Sequence, residues 1–174
     1  MISLIASKPL KAIPKRLCYY TVKNNLPPNP VHDFMVLTYN MADTKTGELL
    51  GEMIVSPMIF DGRVNKKIYP EEKGFFKSLQ IFRIMSFKRG VGVGSDFIKV
   101  AKSESKRFGC DGRVNLISSP VYDRKNPPHV FYKKNGFTSV SEIINNKLNE
   151  CIIQKKKASF KNITGIHMYL PIQA

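Results

Sequence analysis

Tryptophan is absent from this 174-residue chain, and acidic side chains are few: 13 Asp and Glu face 28 Lys and Arg, for a formal charge of +15. Such an excess bears on partners, solubility and association rates, and says nothing about fold. Cysteine is scarce. Cys18, Cys110 and Cys151 are odd in number, widely separated and without a Cys-x-x-Cys pair, which excludes a disulfide framework and points to a reducing compartment with no structural zinc. His32, His129 and His167 show no ligand spacing, so no metal is expected. Long apolar runs are missing as well. The first one is cut by Lys8-Pro9, too short for a secretory signal, and Met53–Phe60 is interrupted by Pro57; nothing approaches the roughly 20 apolar residues of a membrane-spanning helix. The expectation is a soluble, cytoplasmic protein with no membrane partner.

What is present is ordinary in amount: 43% hydrophobic and 24% charged residues, enough for one domain over residues 1–174 with a real core. No internal repeat or domain boundary is visible. Residues 1–16 read as an irregular basic lead-in, and Leu17–Val22 as a first strand. Pro27, Pro28 and Pro30 exclude a helix from the link that follows. Phe34–Met41 and Leu49–Ile59 read as the second and third strands, joined by a hairpin turn at Asp43–Gly47. Asp61–Lys77 is polar and punctuated, a loop delivering the chain to a fourth strand. Beyond Gly109, Arg113–Ser118 reads as the next strand, His129–Asn135 as a short helix opened by Pro127-Pro128, and His167–Ile172 as a closing strand. Phe137 onward should return to the sheet, and Asn145–Lys161 reads mainly as a lysine-rich stretch.

The chain is organised around Leu79–Gly109. An apolar run of strand character, Ile81–Met85, passes into a basic glycine-rich turn, Lys88–Gly94, and then into a helical pattern. Val93, Phe97, Val100, Ala101 and Phe108 recur near a 3.6-residue period, with Lys99, Lys102, Ser103 and Lys106 on the other side. A strand feeding a glycine-rich turn into a helix N-terminus is an anion-binding device, because free N–H groups and the positive end of the helix dipole meet the ligand together. Glycine lets a phosphate approach the backbone closely. A Walker A loop is excluded, since Gly94 is followed by Ser95-Asp96 and the lysine is missing. A Rossmann fingerprint is excluded too, its third glycine falling on Ser95 or Phe97.

What fits is Arg89-x-x-Gly92-x-Gly94, together with Phe131-Tyr132-Lys133-Lys134-Asn135-Gly136-Phe137 about forty residues downstream. In these two motifs the chain resembles the GCN5-related N-acetyltransferases, over about residues 79–138. The resemblance implies an α+β fold. Its mixed, mostly antiparallel central sheet of about six to seven strands is flanked by helices and splayed between strands four and five. It implies acetyl-coenzyme A as co-substrate, with its pyrophosphate held by Arg89, Gly90, Val91, Gly92, Val93, Gly94 and Ser95. The main chain of Ile84, Met85 and Ser86, on a splayed or bulged fourth strand, would pair with the pantetheine arm and polarise the thioester. Tyr132 stands where the family often places a tyrosine that protonates the leaving thiolate; the competing reading is a packed aromatic. Asn126 and Ser119 lie where the chain crosses the cofactor's arm, though Pro127-Pro128 displaces the usual register. For the base, Glu52 and His129 are candidates beside a water-relayed base or an amine arriving neutral. The family's helices between the first two strands are replaced here by the proline-rich link, so no acceptor residues follow from the resemblance.

Two functions remain open from sequence. One is an enzyme transferring acetyl from acetyl-coenzyme A to an amine on a small molecule, peptide or protein, by direct transfer in a ternary complex. The other is a basic nucleic-acid-associated protein on the same fold, acetylating aminoacyl-tRNA or merely binding, with Lys155-Lys156-Lys157 in its patch. The lysine run has little aromatic interleaving, and charge runs are commonly solvated faces.

Overall fold

The computed structural model describes residues 16–23, 35–121, 127–156, 158, 160 and 165–172. Their order is β1 (Arg16–Lys23), β2 (Val36–Asp43), β3 (Leu49–Asp61), β4 (Phe75–Ser86), α1 (Val93–Arg107), β5 (Val114–Ser118), α2 (His129–Lys134), α3 (Glu142–Ile153) and β6 (Ile166–Tyr169). The strands form one sheet in the order β1-β2-β3-β4-β5-β6. Every neighbouring pair is antiparallel except β4 and β5, which run parallel through the α1 crossover. This is the mixed, mostly antiparallel α+β architecture expected from the two motifs. No helix among the described residues is long and apolar enough to cross a membrane.

Strand alternation sets which face is the core. Along β3, Met53 and Val55 are fully buried while Glu52 and Ile54 are only half-buried, the period-2 pattern of a sheet with one packed face. α1 covers that face over β3, β4 and β5, burying Val93, Phe97, Val100 and Ala101. It also buries two acids the periodicity did not mark, Asp96 and Glu104. Glu104 Oε2 accepts from the Tyr39 hydroxyl of β2 and from Arg107 Nε at 2.9 Å, so its charge is compensated where it is buried. Gly109, at φ 68°, follows the helix and turns the chain toward β5.

Four readings are corrected here. β4 begins at Phe75, inside the stretch read as a loop, because Phe76, Ser78 and Leu79 already pair with β3 and are buried. The segment before it is not merely a polar loop: Ile68 and Tyr69 form a second buried cluster with Phe76 on the sheet. The return after Phe137 is a single bridge, Thr138 to Tyr169, and the chain then enters α3, which was not expected. That helix is capped by Ser141 Oγ, which accepts from Ile144 N at 3.4 Å. Ile144, Leu148 and Cys151 give it an i, i+4, i+7 stripe against the core; the neighbouring lysines had hidden this pattern. The closing strand is Ile166–Tyr169, shorter than predicted.

Tyr69 anchors the loop before β4. Its hydroxyl donates to Val114 O at 3.0 Å and accepts from Val114 N at 2.7 Å. The residue holds φ 46°, a left-handed conformation that costs a residue bearing a Cβ about 1 kcal/mol. Tyr69→Phe leaves the buried Val114 N–H without an acceptor and should lower unfolding free energy by about 1–3 kcal/mol. Urea unfolding measures this, and an unchanged midpoint would mean that ring packing alone holds the loop.

Candidate functional site

The site begins with a break in the sheet. β4 pairs with β5 only through Leu79–Val114, Gln80–Asn115 and Ile81–Leu116, yet β4 runs on to Ser86. Beyond Leu116, β5 stays with β6, through Ile117–His167 and Ser118–Ile166. The two parallel strands therefore part. At the same point β4 carries a bulge: Val55 faces Ile81 and Ile54 faces Arg83, so Phe82 is the extra residue. A bulge bends its strand and raises its twist, which carries residues 83–86 away from the line of β5. The irregularity lies just before the predicted Ile84–Ser86 stretch.

Close packing at Gly51 fixes how that end of β4 meets α1. A Cβ there would lie 2.5 Å from Met85 O and 2.8 Å from Val93 Cγ1. Only glycine lets the strand end and the first residue of α1 come together. The turn between them passes through Gly90 at φ 76° and Gly92 at φ 83°. Gly92 is the N-cap of α1 and offers no side-chain cap. The first helical bond is Asp96 N to Gly92 O, 3.1 Å, so the N–H groups of Val93, Gly94 and Ser95 have no acceptor within the helix. Gly94 faces Phe131 of α2, where a Cβ would lie 2.8 Å from Phe131 Cζ.

Between these parts lies a cleft of about 590 Å³. One wall is Ile84 and Ser86 of β4, the floor is Arg89, Gly90 and Gly92 through Ser95, and the other wall is Pro127, Pro128, Phe131 and Tyr132. Tyr132 is 8% exposed and packs edge-on against Phe131 and Phe137, ring centroids 5.1 and 5.6 Å away. Burial pushes its phenol up to about 12. It therefore stays protonated at neutral pH, the state a proton donor needs.

Of the residues singled out from sequence, the fold gathers Ile84, Ser86, Arg89, Gly90, Gly92, Val93, Gly94, Ser95 and Tyr132 around this cleft. Met85 and Val91 do not line it. Met85 pairs with Glu52, one residue out of phase with Ile84 and Met53 on the core face. The Val91 carbonyl accepts from Arg16 Nη2. Asn126 lies outside the described residues. Glu52 shares the far face of the sheet with Met85 and is paired with Arg83 at 2.5 Å. His129 is buried at the start of α2, its Nδ1 2.7 Å from Ser118 Oγ, and it stands outside the cleft lining. Ser119 Oγ accepts from Val121 N at 3.3 Å and is likewise outside the lining.

Sequence reasoning missed Arg16 and Asp96. The Arg16 guanidinium ion-pairs with Asp96 in the first turn of α1 across a separation of 80 residues, for which no local pattern gives a signal. Neither deeply buried thiol is poised as a nucleophile. Burial, with Glu104 adding repulsion, pushes Cys18 up to about 12, and burial raises Cys110 as well. Among the described residues no cluster of His, Cys, Asp and Glu could hold a metal ion.

No family model matches the chain, and no curated protein matches it. Among solved structures, it is similar to a bacterial toxin, at 16% identity over 79% of this chain and 68% of that one, TM-score 0.48. A point mutant of KacT aligns at 14% identity over 79% and 71%, TM-score 0.46. An acyl-CoA N-acyltransferase from Pseudomonas aeruginosa aligns at 16% identity over 77% and 68%, TM-score 0.39.

Two histidines, His129 buried and His167 half-buried, give the molecule an acid-sensitive side. Burial holds the His129 imidazole below the ordinary range, and burial followed by the Lys67 charge does the same for His167. Once unfolded, both regain a pKa near 6.5. The unfolded chain then binds more protons than the folded one as pH drops through about 6.5, so stability falls there and is undiminished above it. The melting temperature should decline from pH 7 to pH 5, and His129→Gln should remove part of that decline. A slope unchanged by the substitution would place the acid sensitivity elsewhere.

Proposed function

We propose that this chain is a GCN5-related N-acetyltransferase that transfers acetyl from acetyl-coenzyme A to an amine, directly and within a ternary complex. The observation that carries the reading is the convergence in one cleft of the free end of β4, the uncapped glycine turn that follows it, and Tyr132 from about forty residues downstream. A helix N-terminus with glycine access suits a pyrophosphate, and Arg89 adds positive charge at its rim. The stretch of β4 past Phe82 has lost its β5 neighbour, which suits main-chain pairing with the amide-bearing pantetheine arm. N–H groups there would polarise the thioester carbonyl.

In the reaction the amine nitrogen forms the new bond to the thioester carbon as the carbon–sulfur bond breaks. Tyr132 gives its proton to the departing sulfur and regains one from solvent. The amine nitrogen sheds its surplus proton to water as the amide forms, whether it arrives neutral or is first deprotonated through water, because the candidate carboxylate base, Glu52, is held by Arg83 on the far face. The raised thiols of Cys18 and Cys110 support direct transfer over an acyl-enzyme route. Unpaired cysteines fit a cytoplasmic setting. The acceptor's class is left open between small molecule, peptide and protein amines. Lys155 and Lys156 stand exposed just past the end of α3 and outside the cleft, so these two lysines do not favour an acidic acceptor such as tRNA.

Acetyl-coenzyme A should raise the melting temperature of the parent by linkage. Gly92→Val, which puts a branched side chain at φ 83° in the turn, should abolish that rise. A variant stabilised as well as the parent would show that the phosphates bind elsewhere.

Tyr132→Phe removes one hydroxyl and little packing volume. With acetyl-coenzyme A and an accepted amine, turnover read by thiol release should fall roughly ten- to a thousandfold, the range of a lost general acid, with coenzyme A affinity nearly unchanged. An unaltered rate would return Tyr132 to packing alone.

A further inference from the structure

The reading of the cleft as a coenzyme A site leaves an electrostatic problem at its floor. Asp96 lies in the first turn of α1 and is 7% exposed, which puts a carboxylate at the end of the helix meant to receive phosphates. A negative side chain there satisfies the helix dipole and repels an incoming anion. The Val91 carbonyl is a second negative end within the same turn. Both are engaged by one side chain. Arg16, at the start of β1, directs Nη1 to Asp96 Oδ2 and Nη2 to Val91 O, and its side chain is only 18% exposed. Lys99 Nζ holds the other Asp96 oxygen at 2.9 Å, from a side chain that is 71% exposed and so more strongly screened by solvent.

We propose that Arg16 is a positioning residue for the anion-binding turn: it neutralises Asp96 and ties back the Val91 carbonyl, so that the N–H groups of the α1 N-terminus face the phosphates unopposed. Arg16 and Lys99 against Asp96 leave this corner with a net positive charge. Because β1 pairs with β2 along its whole length, the clamp also fastens the turn to the sheet. The Arg16 guanidinium lies beside the turn: a Cβ on Gly92 would be 3.8 Å from its Nη1.

The test is a double-mutant cycle with two readouts. Arg16→Gln, Asp96→Asn and the double variant are compared with the parent for coenzyme A affinity by calorimetry. Without ligand, hydrogen exchange is followed at the Asp96 amide, the first bonded N–H of α1. Arg16→Gln should weaken coenzyme A roughly ten- to a hundredfold, the worth of hydrogen bonds to a charged group, and should speed exchange at Asp96. Adding Asp96→Asn should recover most of the lost affinity, because the carboxylate that Arg16 masked is gone; a purely structural role for Arg16 gives no such rescue. Equal weakness of the single and double variants overturns the charge-masking role. Unchanged affinity and unchanged exchange in Arg16→Gln overturn the proposal outright. A parent that binds no coenzyme A, with exchange at Asp96 still quickened by Arg16→Gln, refutes the coenzyme A reading and leaves the clamp standing.

Discussion

The structure depends on a helix N-terminus that is left open. α1 begins at a glycine that has no side chain to cap it, and its first amides have no acceptor inside the helix. In most helices a Ser, Thr, Asp or Asn at this position would satisfy one of them and stabilise the helix by about 1 kcal/mol. Here that stabilisation is forgone, and the helix is held by its other face instead. Phe97, Ala101 and Val93 are buried against the sheet, and Glu104 ties its last turns to Tyr39. The anchoring runs through side chains along the helix, from Val93 in its first turn to Glu104 near its end, so the backbone N–H groups of the first turn are left open for a ligand.

The sheet supplies the rest of the geometry by failing to continue. Three residue pairs join β4 to β5, enough to fix their direction, and then the Phe82 bulge turns β4 aside. The same bulge shifts side-chain parity. Ile84 joins Met53 on the core face, while Arg83 and Met85 go to the other with Glu52. One extra residue thus decides which side chains border the cleft and which candidate base does not. Gly51 and Gly94 matter for a different reason, since any Cβ would strike Met85 O at the first and Phe131 at the second. These contacts draw β4, α1 and α2 around one space.

Much of this was legible in the chain. The 3.6-residue period of α1 and the glycine turn ahead of it rest on local rules. So do the alternation along β3, the Asp43 turn and the glycine stops. Most elements lie within about two residues of their reading; the closing strand ends earlier, at Tyr169, and two readings fail where tertiary contacts overrode local character. Phe75–Lys77 looked like loop because polar residues precede it, but pairing with β3 extends the strand. α3 looked like a solvated lysine run because its stripe of Ile144, Leu148 and Cys151 is thin.

The sequence by itself determined the device, a strand and an uncapped glycine turn leading into an amphipathic helix, because those depend on backbone freedom and hydrophobic period within a few residues. It also carried the aromatic-glycine element that places Tyr132 on a short helix. Only the tertiary structure decided what surrounds them. That Tyr132 lies across the same cleft as Gly92, and that Glu52 is spent on Arg83 behind the sheet, follow from strand register. That Asp96 is covered by Arg16 from 80 residues away follows from how β1 is packed. Pairings of this kind are set by which surfaces are buried together, and no local pattern in a chain records them.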